Sequence, residues 1–478
     1  MARRTKIVAT LGPASESVAV VEALIVAGVD VVRLNLSHGT IDEHLDRLRI
    51  VRETAARLGR VVGVLADLPG PKVRCGEFPD GGVFLMEGDR LRLVPGEGPS
   101  SAAEITVDYE ALLDDAEIGD RVILGDGAIS MVVSELSEGA LLATVVTGGR
   151  AQGRPGVHLP TERIRITAPT AHDLTLAQTM AEAGADFLAV SFVRSAEDLN
   201  VVRRVVGDDG PRLVAKIETG PAIAALDEIL EASDVLMVAR GDLGIECPLE
   251  DVPHLQKHVL RAAVESGVPV ITATQVLESM ITSPAPTRAE VSDIANAVFD
   301  GTDALMLSAE TAIGHNPALV VRTMSRIAER AESEASYAQW ATRLGRQQRR
   351  QWPEGPERIT MAITHAASQA AIDAAADAIV CCTRTGRTAR AMARYRPTAR
   401  LIGISPDPVA SRALTVSWGV TPMTMEPSAS TDELVWLAVE AAVKGGHAAP
   451  GDLLLVLAGS PEKPTGAATD VLRIVRIE

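Results

Sequence analysis

Two short apolar runs break off in charge: Leu213-Val-Ala-Lys-Ile-Glu218 and Leu236-Met-Val-Ala-Arg-Gly-Asp-Leu-Gly244. In a buried parallel strand, polar residues belong at the carboxyl end, where the sheet opens to ligand. Glu218 and Asp242 therefore share one mouth. Lys216, two residues before Glu218, falls on the same face of its strand, because side chains alternate with period two. Two carboxylates from neighbouring strands suit Mg2+, which keeps several waters and favours phosphate-bearing ligands over a full protein cage. A lysine beside such an ion can neutralise charge on a phosphoryl group in transfer. A lone Lys-x-Glu on a strand is more often a structural ion pair. The second carboxylate, set in Ala-Arg-Gly-Asp-Leu-Gly, shifts that balance, and Gly241 lets backbone N–H groups approach a ligand closely.

The elements that must position these groups follow from a repeat. Gly28-Val-Asp30, Gly184-Ala-Asp186 and Gly301-Thr-Asp303 each close a helical stretch and open an apolar run, with Ala232-Ser-Asp234 as a glycine-less variant. Glycine ends a helix in the left-handed conformation and a strand begins at once. In the helix before Gly28, Ser17 is a cap, and Val18, Val21, Leu24 and Ile25 share one face. The strands expected are Lys6 to Leu11, Val31 to Leu36, Val61 to Asp67, Phe187 to Phe192, Leu213 to Glu218, Val235 to Ala239, Val270 to Thr274 and Ala304 to Leu307. Eight strands separated by helices predict a (β/α)8 TIM barrel with polar residues gathered on one face.

Roughly a hundred residues separate the third and fourth strands, more than one barrel helix needs. Short alternating runs broken by Gly and Pro, such as Gly88 to Val94 and Gly119 to Leu124, read as a small β-barrel lid domain inserted at 70–163. The catalytic barrel then comprises 1–69 and 164–342. A polar, basic linker follows at 343–355, and 356–478 alternates helices and strands again as an open α/β domain. Its strand candidates are Ala378 to Thr383, Arg400 to Ile404, Val420 to Met425 and Asp452 to Leu457.

A formal charge of −17 argues against nucleic acid and anionic membrane as partners. No run is long enough to span a bilayer, and Arg3-Arg4 leads into an ordinary strand instead of an apolar targeting region, so a cytoplasmic protein is expected. The four cysteines, at 75, 247, 381 and 382, lack metal-site spacing, and burial is the expected role of all four.

The runs Thr5-Lys-Ile-Val-Ala-Thr-Leu-Gly-Pro-Ala-Ser15, Val32-Arg-Leu-Asn-Leu-Ser-His-Gly39, Lys216-Ile-Glu218, Met237 to Glu246, Ala273-Thr-Gln-Val-Leu-Glu-Ser-Met280, Pro286-Thr-Arg-Ala-Glu290 and Leu307-Ser-Ala-Glu-Thr311 resemble, in order, the active-site segments of pyruvate kinases. The resemblance implies transfer of a phosphoryl group from phosphoenolpyruvate to ADP, leaving pyruvate and ATP. It implies that Arg33 and Lys216 face the transferring phosphate and that Glu218 and Asp242 hold Mg2+ or Mn2+. Gly241, Asp242 and Thr274 would receive the substrate carboxylate, and Thr274 and Ser308 would line the proton path to the methylene carbon. Asn35, His38 and Arg74 match positions near the nucleotide phosphates. In relatives that require K+, the ion sits among oxygens matching Asn35, Ser37, Asp67 and the carbonyl of Leu68. Where those carry glutamate this chain has Lys72, whose ammonium would replace the ion and remove the K+ requirement. Thr383, Thr385, Gly386 and Thr388 resemble a loop that holds the phosphate of an allosteric effector, with a second half around Ser460 to Thr469. A homotetramer is implied by resemblance alone.

Three departures bear on the nucleotide and on strand eight. Ala309 stands where the family has Gly, Pro155 stands where a nucleotide-side lysine is expected, and His158 stands where the family has Asn. Arg154 is the candidate replacement for that lysine. Two other readings are a phosphometabolite-binding homologue with weak or altered nucleotide use, and a Mg2+-dependent barrel lyase acting on a 2-oxo acid, which Arg33 and Lys216 oppose.

Overall fold

Runs of Val, Leu, Ile and Ala form eight parallel strands, Lys6–Leu11, Val31–Asn35, Gly63–Asp67, Phe187–Val190, Arg212–Ile217, Val235–Ala239, Val270–Ala273 and Ala304–Leu307. They close in chain order into a barrel, the first strand pairing the last from Lys6 with Ala304 to Ala9 with Leu307. This computed structural model describes residues 3–125, 127, 129–160, 167–335, 337, 340, 344, 356–459 and 468–478. Period two sorts each strand: Val8, Val31, Leu65, Phe187, Val214 and Met237 fill the barrel, while Ile7, Ala9, Val32 and Val64 pack under the helices.

All eight predicted strands are present, but several end earlier. The fourth stops at Val190 and the seventh at Ala273, because Phe192 and Thr274 adopt positive φ, 55° and 63°, which no strand accommodates. The first helix, Val18–Ala27, is capped by Ser17 and ends at Gly28 with φ 110°. Val21, Leu24 and Ile25 are buried as expected, whereas Val18, in the first turn, is exposed.

The glycine–aspartate repeat proves to be a capping device. Asp30 accepts the N–H of Ile7 (2.9 Å), Asp186 that of Val64 (2.8 Å), Asp234 that of Leu213 (3.0 Å) and Asp303 that of Val270 (3.1 Å). Each aspartate precedes an even-numbered strand and holds the start of the odd-numbered strand before it. A carboxylate accepting from a backbone N–H is among the stronger hydrogen bonds. Two of the four also tie the barrel to the carboxyl-terminal domain, through Arg412 to Asp186 (2.7 Å) and Arg396 to Asp303 (3.2 Å).

The insertion holds a six-stranded sheet in the order Val157–His158, Arg121–Leu124, Ile129–Ser137, Ala140–Thr147, Arg90–Pro95, Glu104–Val107. Arg74 bridges Gly156 at one edge and Cys75 bridges Val107 at the other, so two residues of chain span the gap and the sheet curls into a barrel. A two-stranded ribbon, Val83–Leu85 with Gly149–Ala151, flanks it. The carboxyl-terminal domain is a five-stranded sheet in the order Val420–Thr424, Arg400–Ser405, Ala378–Cys382, Leu453–Ala458, Val471–Arg476. The last strand was not expected from the sequence. It is a half-exposed antiparallel edge strand in which Arg473 and Arg476 interrupt the apolar run that marks its neighbours. The predicted linker at 343–355 lies outside the described residues except for Leu344, as do residues 460–467. Cys75, Cys381 and Cys382 are buried, but Cys247, just past a short helix at the cleft, is only half buried. Among the described residues no helix is long and apolar enough to cross a membrane.

Candidate functional site

At the carboxyl ends of the strands, Lys216 is the hub. Its Nζ lies 2.8 Å from Glu218 Oε1 and 3.3 Å from Asp67 Oδ1, and donates to Ser191 Oγ at 2.7 Å. Burial alone would lower the ammonium's pKa, but the carboxylates of Asp67, Glu218 and Asp242 outweigh it and hold the lysine charged above its ordinary range. Asp67 is shared: Arg33 Nε donates to its Oδ2 at 2.7 Å, and Arg33 Nη1 reaches Thr10 Oγ1 at 3.1 Å. Burial opposes charge on Asp67, yet Lys216 and Arg33 keep its pKa below the usual value.

Glu218 is almost wholly enclosed. Its Oε2 accepts the N–H of Phe192 at 2.8 Å, the left-handed backbone of Phe192 marking the turn that sets this contact. Its Oε1 faces Lys216 without hydrogen-bond alignment, so this buried oxygen has no hydrogen-bond partner among the described residues. Burial above all, and Asp242 against the pull of Lys216, push Glu218 up to about 7. Asp242 sits in the first turn of the short helix Arg240–Glu246 and opens on the cleft. A carboxylate oxygen left in this condition, beside a second carboxylate, fits a hard divalent ion that takes its other ligands from water and substrate. Among the described residues no three His, Cys, Asp or Glu form a protein-only cage.

Thr274 is displayed by strain. It and Gln275 have φ of 63° and 52°, two adjacent non-glycine residues in the left-handed region. Arg240 grips this turn, donating to the carbonyls of Ala273 (3.2 Å) and Thr274 (2.7 Å), while Asp293 holds the same guanidinium through bonds of 2.7 and 2.8 Å. Thr274 Oγ1 accepts the N–H of Gly241 at 2.8 Å, so two groups expected to meet a ligand carboxylate are already adjacent. Glu310 accepts the N–H groups of Ser308 (2.7 Å) and Leu277 (3.1 Å), joining the eighth-strand end to the same loop. Ala309 opens the helix Ala309–Ala312 without positive φ, so its methyl group needs no glycine there.

Above the mouth a cavity of about 390 Å3 separates barrel from lid, lined on the lid side by Lys72, Arg74 and His158 and on the barrel side by His38, Arg194 and Asp242. Lys72 Nζ donates to Ser37 Oγ at 2.7 Å, and Asn35 Oδ1 accepts the N–H of Ser37 at 3.3 Å. The Leu68 carbonyl accepts from Ser191 Oγ at 2.8 Å. His38 is exposed; partial burial and then Lys72, Arg74 and Arg33 depress its pKa, so it stands neutral among cations. Arg154 does not line this cavity. Its Nε donates to the Cys75 carbonyl at 3.3 Å and its Nη2 lies 3.8 Å from Asp108, while the Pro155 carbonyl accepts from the Cys75 N–H at 2.9 Å.

In the carboxyl-terminal domain, Thr360, Thr383, Arg384, Thr385, Arg387 and Thr388 line a second cavity of about 210 Å3. Thr388 and Thr469 hydroxyls lie 2.7 Å apart, which brings in the described end of the expected second half. Gly386 supplies a turn at φ 82°, where a Cβ would meet Arg390 at 3.0 Å and Leu414 at 3.1 Å.

Sequence reasoning passed over Arg194, and it treated His158 only as a departure from the family. For Arg240 the signal was present, an arginine inside the Ala-Arg-Gly-Asp run, but its partner Asp293 lies 53 residues away. Ser191, within the expected strand Phe187 to Phe192, bridges Lys216 and Leu68.

A charged lysine held among carboxylates at a barrel mouth, under a cation-lined cleft, has the character of a barrel phosphotransferase. Comparison with known proteins narrows the class. Residues 2–321 match the description "Pyruvate kinase, barrel domain" and residues 361–475 "Pyruvate kinase, alpha/beta domain". The chain is 41% identical to a protein named pyruvate kinase from Methylorubrum extorquens, covering 99% of this chain and 97% of that one. It is 40% identical to one from Geobacillus stearothermophilus, covering 99% and 80%, and 39% identical to one from Corynebacterium glutamicum, covering 98% and 96%. The chain belongs to the pyruvate kinase family.

Proposed function

We propose that the cleft transfers the phosphoryl group of phosphoenolpyruvate to ADP, giving pyruvate and ATP. The observation that carries this is Lys216, a buried ammonium kept charged by three carboxylates at the point where cations and acids converge. Lys216 and Arg33 face the transferring phosphoryl group, the first as a point charge and the second as a planar fork. The substrate carboxylate would displace Thr274 Oγ1 from the Gly241 N–H and take the Asp242 N–H as well, freeing the hydroxyl. Thr274 and Ser308 then flank the route of the proton to the methylene carbon, with water as carrier. Asn35, His38 and Arg74 meet the nucleotide phosphates.

Glu218 and Asp242 would hold Mg2+ or Mn2+, which would offset charge on the phosphoryl oxygens. K+ is not required, since Lys72 already reaches Ser37. Formation of pyruvate from phosphoenolpyruvate and ADP, coupled to lactate dehydrogenase, tests the assignment. The position of Arg154 favours one second reading: with its guanidinium on Cys75 and Asp108, the nucleotide side is weakly furnished, and a phosphometabolite-binding homologue would bind phosphoenolpyruvate without turnover.

The threonine- and arginine-lined cavity is the place for a phosphorylated effector, and Thr385→Glu should abolish activation by sugar phosphates or nucleoside monophosphates while leaving basal turnover intact. Equal activation of both proteins would refute it. The assembly is read as a cytoplasmic homotetramer, which a monomeric mass by light scattering at assay concentration would overturn.

A further inference from the structure

Lys216 carries its charge on a flexible four-carbon stem, and charge alone does not aim it. Its two close carboxylates, Glu218 Oε1 at 2.8 Å and Asp67 Oδ1 at 3.3 Å, attract the ammonium through a Coulomb force that depends on distance and hardly on direction. Direction comes from a third partner. Ser191 Oγ lies 2.7 Å from Nζ, the shortest of the three contacts, and it is neutral. A further carboxylate in its place would offset the charge that a phosphoryl group needs, whereas a hydroxyl accepts the N–H and leaves that charge standing.

The hydroxyl is itself aimed. An ammonium can only donate and a carbonyl can only accept, so Ser191 Oγ accepts from Lys216 and donates to the Leu68 carbonyl at 2.8 Å. With its one hydrogen committed, its lone pairs are left to Nζ. The frame around it is stiff: Ser191 and Leu68 are buried, and the Leu68 N–H donates to the Ala189 carbonyl at 2.9 Å. Gly70, at φ 69°, passes so close that a Cβ there would lie 2.8 Å from Ser191 Cβ, and Asp173 Oδ1 accepts the Gly70 N–H at 3.0 Å. On the other side, Glu218 Oε2 holds the N–H of the next residue, Phe192, at 2.8 Å.

Resting on the phosphoryl-transfer reading of the cleft, we propose that Ser191 is a positioning residue for Lys216, whose ammonium it turns toward the transferring phosphoryl group. Ser191 and Asp67 take two of the three ammonium hydrogens, and the third is left for a phosphoryl oxygen entering the mouth. The proton stays on Lys216 throughout. Ser191 contributes direction and no charge, and it acts through Lys216 alone.

The test is steady-state kinetics of pyruvate formation by the full chain. Ser191→Ala should lower kcat about thirtyfold while KM for phosphoenolpyruvate and for ADP stays within about twofold, because a misdirected ammonium is missed mainly in the transition state. Ser191→Cys keeps the shape but offers only a weak sulfur acceptor, so its kcat should fall with that of Ser191→Ala, whereas a packing role would be restored by it. A hydroxyl that served only to secure the lid connection at Leu68 would instead raise KM for ADP, since Lys72 and Arg74 follow on that segment and line the cleft. A kcat within about threefold of wild type in either variant, or a loss confined to KM, would overturn the proposal. Lys216→Met, assayed alongside, separates the two levels: if it too keeps kcat within about tenfold, the phosphoryl-transfer reading fails, and if it collapses while the Ser191 variants do not, only the role of Ser191 fails.

Discussion

Omitting K+ should leave this enzyme active, and the structure allows the size of the effect to be worked out. Lys72 Nζ sits 2.7 Å from Ser37 Oγ, one of the oxygens that resemblance assigns to the ion, and feels the Asp67 and Asp242 carboxylates as well as the opposing Lys216 and Arg74. Burial, then Lys216 and Arg74, lower its pKa, and the Asp67 and Asp242 carboxylates oppose that lowering and favour the ammonium. A unit charge about 5 Å from a phosphoryl oxygen is worth about 3 kcal/mol at an effective dielectric constant of about 20. Lys72 is exposed, and solvent screening cuts that to about 1.4 kcal/mol, or tenfold in rate. With tetramethylammonium replacing K+ at constant ionic strength and saturating Mg2+, wild-type kcat/KM for phosphoenolpyruvate should change less than about threefold, or roughly 0.7 kcal/mol. Lys72→Glu should lose about tenfold or more without K+ and recover when K+ is added. Tenfold activation of the wild type by K+, or a Lys72→Glu variant indifferent to it, would refute the reasoning.

Lys216→Met should reduce kcat by on the order of a thousandfold or more in a folded protein, since the lost charge acts mainly as the phosphoryl group moves; steady-state kinetics with circular dichroism as the folding control decide it. Asp293→Ala should release Arg240 from one side and let the strained Thr274 turn relax, lowering kcat about tenfold with little change in nucleotide KM, and Asp293→Glu should restore most of it. In chelator-treated protein, Glu218 with its raised pKa binds a proton more tightly folded than unfolded, so stability should fall between about pH 4.5 and pH 7 by up to about 1.4 kcal/mol per pH unit from this group. Urea unfolding of wild type and Glu218→Gln across that window checks the sign, because the variant should lose this component of the slope.

Much of this fold could be read from the order of residues, because a parallel barrel writes a plain signal. Each strand is a short apolar run, every second helix-to-strand joint ends in aspartate with a glycine before it in three cases of four, and neither signal depends on distant partners. The meaning of the aspartates was hidden for the same reason: Asp186 lies 122 residues from the N–H it accepts, and nothing local marks Val64 as its target. Lys216 and Glu218 were legible because period two places them together. The grip of Arg240 on Thr274 was not, since Thr274 reads as a β-former and its left-handed backbone is imposed by contacts from another strand and helix. Arg154 marks the opposite failure. Its proximity to the expected lysine position suggested a role, but one residue of offset in a chain that crosses the lid edge turns its head toward Asp108.

The division of labour between the two ends of the barrel explains why its chemistry can sit on strained turns. At the amino-terminal end, the four repeated aspartates each accept a strand N–H, and Asp186 and Asp303 carry the attachment of the second domain in addition. Those contacts fix strand register where no substrate comes. The carboxyl-terminal ends are thereby relieved of setting register, and two of them leave regular geometry, at Phe192 and at Thr274. A positive φ at a non-glycine residue costs of order 1–3 kcal/mol and persists only where its surroundings over-determine it. Phe192 is held by Glu218, and Thr274 by Arg240, so each strained turn leans on a charged residue of the mouth. Charged groups of the mouth and strained backbone therefore stabilise one another, and a substitution at either should disturb both.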